Sequence, residues 1–324
     1  MVTLKDIARE TGLTVTTVSR VLNSRGYISL QTRDKVYSAM DKLNYQPNEV
    51  ARFLSKKKTN LIGVIVPQIS HPYFAQVICY LENYAYLNDK KILLFSFAKK
   101  GISLEECLKK CFASRVSGII LCSGNLLVEN SDLYDTPVIS IDCDTPNVTT
   151  TVLSDNLLAG KLAAEHLASC GCHNLLHINI IGENIRFSDA RAYSFQKECE
   201  RTNVSCKEIQ IDAFCDDEID DDVIEKIIVG NPQIDGIFTS SDILAAKILQ
   251  VCHICQIEVP TRLKVVGYGD INISKLAIPQ ITTIHQPIEE MVRIAVELLV
   301  SANAGYVTPN KTVLPVSLIK RGTT

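Results

Sequence analysis

The stretch GLTVTTVSRVLN, residues 12–23, sets one guanidinium among small hydroxyls and β-branched methyls. On a helix, Arg20 can donate two parallel hydrogen bonds to O6 and N7 of a guanine. Thr16 and Ser19 can reach bases or phosphates, and Val15 can meet a thymine methyl. Side chains this short let a helix sit deep in a groove. A second polar set falls where strands are expected to end: Ser70, Tyr73, Phe74, Asp142, Ser241, Tyr268, Asp270 and Gln286, with Arg191 near a helix start. Carboxylates and guanidinium groups bind vicinal hydroxyls in pairs, while Tyr and Phe offer flat apolar faces to a sugar ring. Asp155, Asp242 and Asp270 also admit a purely structural reading, as caps of the helices that follow.

Catalytic spacing is missing. The sequence has no G-x-S-x-G elbow, P-loop or H-E-x-x-H, and GYGD at 267–270 lacks the rest of a dinucleotide fingerprint. The acidic run CDDEIDDD, 215–222, reads as a solvated helix start, where carboxylates suit the positive end of the dipole. Neither an enzyme nor a cofactor is expected. Of the twelve cysteines, Cys170 and Cys172 beside His173, and Cys252 and Cys255 around His253, have near-ligand spacing. The second pair lies in ILAAKILQVCHICQ, which reads as helix, so packed free thiols and no metal are expected. With 46% hydrophobic and 21% charged residues, the chain has the composition of a globular protein. No leader-like start or long apolar run is present, so the cytoplasm is the expected compartment, with no membrane partner.

The elements that must position these groups follow from periodicity. In TLKDIARETG, Thr3 and Asp6 make a capping-box-like start, Leu4, Ile7 and Ala8 an apolar stripe, and Gly12 a stop. Thr14 can cap a second helix whose Val18, Val21 and Leu22 face inward. Ser29 can cap a third, with Val36, Ala39, Met40 and Leu43 buried. This is a helix-turn-helix trio over 1–46. Pro47 and Asn48 open a short helix in a linker, 47–60, where an exposed Leu54 could wedge into a minor groove. Residues 1–60 carry eleven Lys/Arg against five acids, hence +6, in a chain of net charge −3. A basic head on an acidic body points to nucleic acid at one end only.

From 61 to 324 the pattern becomes short apolar runs alternating with helices. LIGVIVP, KILLFSF, GIILCSG, PVISID and TTVLSDN form one series of strands, and NLLHINIIG, KEIQI, GIFTSS, KVVGYGD and ITTIHQP a second. Repeated alternation of this kind predicts an α/β fold of two doubly wound parallel-sheet lobes, about 61–157 with 286–316 and 158–285 with 317–324. Ligands of such sheets bind outside the carboxyl ends of the strands, here facing one cleft.

TLKDIARETGLTVTTVSRVLN, LNYQPNEVARFLSKKKTNLIGVIVP, SDNLLAGKLAAEHL, TTIHQP and LPVSLIKRGTT together resemble the LacI/GalR family of bacterial repressors, in order and from end to end. NSRGYIS and QISHPYF are most similar to its sucrose- and ribose-type members. The resemblance implies a helix-turn-helix headpiece on a periplasmic-binding-protein-like body, working as a homodimer on a palindromic operator. A sugar or sugar-phosphate in the cleft would control it. It implies DNA contacts from Thr3, Thr14, Val15, Thr16, Thr17, Ser19, Arg20, Asn23, Tyr45, Asn48, Ala51 and Leu54. It also aligns Asp142, Arg191, Tyr268 and Gln286 with effector-contacting positions. Gly269 before Asp270, and Ser241 before Asp242, depart from the sugar-responsive pattern and remove polar reach. Without a heptad tail, assemblies above the dimer are not expected. Two alternatives stay open: a global carbon-catabolite regulator answering to a phosphorylated carrier protein, and a sugar receptor with no DNA role.

Overall fold

The computed structural model describes residues 2–22, 26–45, 59–97, 103–122, 136–143, 148–181, 188–213 and 216–324. The chain divides into two compact units, Met1–Lys58 and Thr59–Thr324.

The first unit is three helices, α1 (Leu4–Thr11), α2 (Val15–Leu22) and α3 (Leu30–Lys42). Asp6 opens α1 by accepting from the backbone N–H and hydroxyl of Thr3, at 2.9 and 2.7 Å. Gly12, at φ 64°, ends it in the left-handed conformation that glycine adopts without a Cβ clash. Thr14 Oγ1 accepts from the Thr17 N–H at 3.1 Å, and Ser29 Oγ from the Thr32 N–H at 3.3 Å, so both expected caps form. Ile7, Ala8, Val18, Val21, Val36 and Ala39 are the buried core. Met40 and Leu43, expected inside, are only partly buried at its rim with Leu4, Leu22 and Tyr45. A trio this small has too little volume to enclose every residue of three stripes.

The second unit holds two six-stranded sheets. The first runs β11-β5-β4-β3-β1-β2, built from β1 (Leu61–Val66), β2 (Lys91–Ser96), β3 (Gly118–Leu121), β4 (Val138–Ile141), β5 (Thr150–Ser154) and β11 (Lys311–Leu314), all parallel. The second runs β12-β10-β9-β8-β6-β7, from β6 (Asn174–Ile181), β7 (Ser205–Asp212), β8 (Gly236–Thr239), β9 (Lys264–Gly269), β10 (Thr282–His285) and β12 (Ser317–Ile319). There β12 lies antiparallel on β10, the one departure from parallel pairing among the described strands.

Strands such as β1 and β3 are apolar throughout because helices cover both faces. On one face of the first sheet, Ile62, Val64 and Val66 pack with α4 (Pro72–Leu87) and α11 (Ile288–Asn303). On the other, Ile65, Ile119 and Leu121 pack with Cys107, Leu108 and Cys111 of α5 (Leu104–Ala113). The second sheet is covered on one face by α6 (Asn156–Ser169) and α7 (Ser188–Thr202). Its other face carries α8 (Asp221–Val229) and α9 (Asp242–Ile254). A short α10 (Asn272–Leu276) follows β9.

The described chain passes between the sheets after β5, after β10, and between β11 and β12. All three crossings belong to strands at one edge of each sheet, so that edge is the hinge side of the cleft. No described helix is long and apolar enough to cross a membrane. No described group of three His, Cys, Asp or Glu could hold a metal ion.

Candidate functional site

Two surfaces gather the residues expected to do chemistry. On the three-helix unit, Thr14, Val15, Thr16 and Arg20 are exposed along α2, with Ser19 and Thr17 half-buried. Thr17 spends its hydroxyl on Thr14, at 2.8 Å. Arg20 lies over Gly26, where an added Cβ would come within 2.5 Å of its guanidinium, so the bare glycine leaves room for that side chain. Tyr27 and Leu30, 95% and 77% exposed, flank this face and carry no periodic signal that would have marked them. Thr3 is exposed at the start of α1, and Tyr45 packs against the core. Asn23, Asn48, Ala51 and Leu54 lie outside the described residues.

The second surface is the cleft. Asp142 follows β4 at φ 53°, which turns its carboxylate back across the ends of the strands. It accepts from Tyr73 Oη at 3.3 Å, Gln286 Nε2 at 2.8 Å and Ser154 Oγ at 2.7 Å. Gln286, just beyond β10 and 2% exposed, also donates to Ser154 Oγ at 3.0 Å. Ser154 ends β5 and shares a 2.8 Å hydrogen bond with Tyr268 Oη on β9. One network thus joins both sheets at the hinge side of the cleft. Burial, then Asp142, pushes the Tyr73 phenol well above its ordinary value, and burial does the same to Tyr268. Both hydroxyls therefore stay protonated, as their hydrogen bonds require.

Arg191, on α7 and 6% exposed, sets its guanidinium carbon 3.8 Å above the Tyr268 ring. Its Nη1 donates to Ser240 O at 3.0 Å, while its buried Nε has no partner among the described residues. Nearby on the second sheet, Ser240 Oγ, Asn179 Oδ1 and His177 Nε2 are also buried without a partner. Of these, Arg191 Nε and Ser240 Oγ lie just beyond the end of β8, where a hydroxyl-rich ligand would satisfy them, whereas Asn179 and His177 lie within β6, His177 stacked on Phe238 at 4.9 Å. His177 donates from Nδ1 to Phe238 O at 3.0 Å, and burial pushes its imidazole down to about 3, so Nε2 is a bare acceptor. Phe74 packs edge-on to Tyr73 at 5.2 Å, extending the aromatic wall from the first sheet.

The other expected residues are engaged elsewhere. Ser70 is exposed and accepts from Gln68. Ser241 caps α9 through the Leu244 N–H, and Asp155 caps α6 through that of Leu158. Asp242 is fully buried, accepting from the Thr283 hydroxyl and the Ile271 N–H, and burial pushes its carboxyl up to about 7. Asp270 gives one oxygen to Arg321 at 2.5 Å and the other to His285 at 3.1 Å. Burial would raise its carboxyl, but Arg321 and then His285 hold it below the ordinary value.

The acidic run 215–222 departs from its sequence reading in its first half, where Asp216–Glu218 form a separate 3₁₀ turn rather than a helix start. Asp220 to Asp222 do sit at the start of α8, but Asp216 is 6% exposed and reaches His71 at 3.2 Å. Ser154, Asn156, Asn179 and His177 were equally invisible, because single polar residues in or beside apolar strands carry no pattern.

Residues 3–48 match the bacterial regulatory proteins of the lacI family, and residues 164–324 a periplasmic binding protein-like domain. The chain is 33% identical to the sucrose operon repressor of Pediococcus pentosaceus over 98% of both chains. It is 30% identical to the ribose operon repressor of Halalkalibacterium halodurans, over 93% of this chain and 90% of that one. Its structure superposes on the lac repressor dimer bound to operator and the anti-inducer ONPF with a TM-score of 0.86. The superposition covers 99% of this chain and 98% of that one, at 25% identity.

Proposed function

Because the chain belongs to the lacI family of bacterial regulatory proteins, we propose that it represses a carbohydrate-utilisation operon from the cytoplasm, as a homodimer under the control of a sugar. It is a DNA-binding regulator, not an enzyme. The observation that carries this reading is the pairing, on one chain, of two surfaces. One is the exposed α2 face around Arg20; the other is a cleft where Asp142, Arg191, Tyr268 and Gln286 converge.

Each group has a task in this reading. The N-terminal part of α2 enters the major groove, and Arg20 reads a guanine while Val15 and Thr16 lie against neighbouring bases. Thr3, Thr14, Thr17, Ser19, Asn23 and Tyr45 hold the backbone in register, and Asn48, Ala51 and Leu54 serve the minor groove. Two-fold protein symmetry is mirrored in a palindromic site. In the cleft, the Tyr73–Asp142–Gln286 set and Arg191 exchange bonds with sugar hydroxyls, and Phe74 and Tyr73 cover a ring face. Ser241 and Asp270, held by Leu244, Arg321 and His285, contribute as supports beneath the pocket. Sugar and operator must alter each other's affinity by the same factor.

Fluorescence anisotropy of the purified protein tests this, using the duplex upstream of its own locus against a scrambled duplex at ~150 mM salt. A panel of mono- and disaccharides and their phosphates is then added. Selective binding that one of these sugars shifts is the expected result. Equal binding to both duplexes, or indifference to the whole panel, overturns the reading. Dependence on a phosphorylated carrier protein instead would identify a catabolite regulator.

A further inference from the structure

We propose that His71 and Asp216 form a clasp across the cleft, holding the two lobes together at the edge farthest from the chain crossings. His71 caps α4 beside the first sheet. Asp216 opens a 3₁₀ turn, Asp216–Glu218, that follows β7 of the second. The two are 145 residues apart in sequence and 3.2 Å apart in space. Their side chains are only 12% and 8% exposed. The direction of the bond is fixed from the other side of the ring. His71 Nδ1 accepts from the Tyr73 N–H at 3.3 Å and so carries no proton, which leaves Nε2–H to donate to the Asp216 carboxylate.

The sheet order gives the bond its leverage. The crossings leave from β5, β10 and the β11–β12 link, at one edge of each sheet, while His71 follows β1 and Asp216 follows β7 near the opposite edges. At ~4.8 Å per strand, the pair stands ~20 Å from the hinge side. An opening of only ~3° then separates the two atoms by ~1 Å, enough to break a hydrogen bond. The Ser154–Tyr268 and Gln286–Asp142 bonds sit at the crossings and barely move in the same rotation. The hinge-side network aligns the lobes, and the His71–Asp216 bond sets how often the far edge opens. The clasp builds on the reading of this cleft as an effector site but needs no effector to act.

Amide hydrogen exchange of the ligand-free full chain tests it, with each variant read on the opposite lobe. Asp216→Ala leaves the α4 cap untouched, yet exchange across residues 72–76 is expected to rise about tenfold. His71→Asn keeps a capping acceptor and is expected to raise exchange across 216–220 by a similar factor. The double variant should exceed neither single one, and peptides across 282–286 should not change. Unmoved exchange on the opposite lobe, or additive effects in the double variant, overturns the clasp. A sugar panel without effect on operator binding would refute the effector reading and leave this result standing.

Discussion

Gly160 sits in α6 where that helix meets α7, and a methyl there would lie 2.2 Å from the Arg191 carbonyl oxygen and 2.7 Å from the Phe195 amide nitrogen. Both are main-chain atoms and cannot swing aside, and Ser194 Cβ follows at 3.1 Å. Relief requires α7 to retreat by ~1 Å, which also strains the 2.5 Å bond from the Ser194 hydroxyl to Leu157 O. Two opposed contributions decide the outcome for Gly160→Ala. Helix propensity gains ~1 kcal/mol, and overpacking against backbone costs ~3 kcal/mol, the upper end of its range because nothing nearby is flexible. The net loss is ~2 kcal/mol, a fall in melting temperature of ~4–8 °C for a body of this size. Because the displaced carbonyl belongs to Arg191, the guanidinium should also leave the Tyr268 ring, and the affinity for the effector should fall with stability. Urea denaturation and effector titration measure the two. A Gly160→Ala protein as stable as its parent, or more so, would show that propensity wins and that the two helices are not pressed together as described.

Other substitutions probe separate parts. Arg20→Ala should cost ~1–3 kcal/mol per half-site and relax preference at one base pair, read by anisotropy on base-substituted duplexes; an equal loss on every sequence would contradict the assignment. His177 is held near 3 by burial, so acid protonates the unfolded chain first, and stability present above about pH 6.5 is lost as pH falls. Between pH 7 and pH 5 this amounts to ~2 kcal/mol, and urea midpoints of His177→Phe should lack that part of the slope. Arg321→Ala takes the guanidinium from the mostly buried Asp270, leaving it His285, and should cost ~3 kcal/mol at pH 7. Since the Asp270 carboxyl is held low in the folded state, the difference from the parent should shrink below ~pH 4, and a pH-independent difference would point to lost packing instead.

The headpiece was legible because its signals are local. Caps at Thr3, Thr14 and Ser29, the stop at Gly12 and stripes three and four residues apart all act within one helix. The buried strands were equally plain, since parallel sheets demand unbroken apolar runs. β11 and β12 were not, because KTVL and SLI are only four and three residues long and lie partly exposed at the sheet edges. Of the cleft residues, Tyr73, Asp142, Arg191, Tyr268 and Gln286 could be located as strand-end or helix-start residues, and the structure brings them together. What sequence could not supply was pairing over distance. Asp270 is claimed by Arg321, and Asp216 turns inward from a run in which Glu218, Asp220 and Asp222 face water. A residue's type states what it can bind, and only the fold states what reaches it first.

Residues 311–319 supply an edge strand to each sheet in turn, and Thr323 then accepts from the Thr282 N–H and donates to Val265 O. During synthesis this seam emerges after every other described strand. Until it does, each sheet lacks the strand at one edge, so neither reaches its full six strands before then. One thread therefore finishes both halves of the cleft and stitches them to each other.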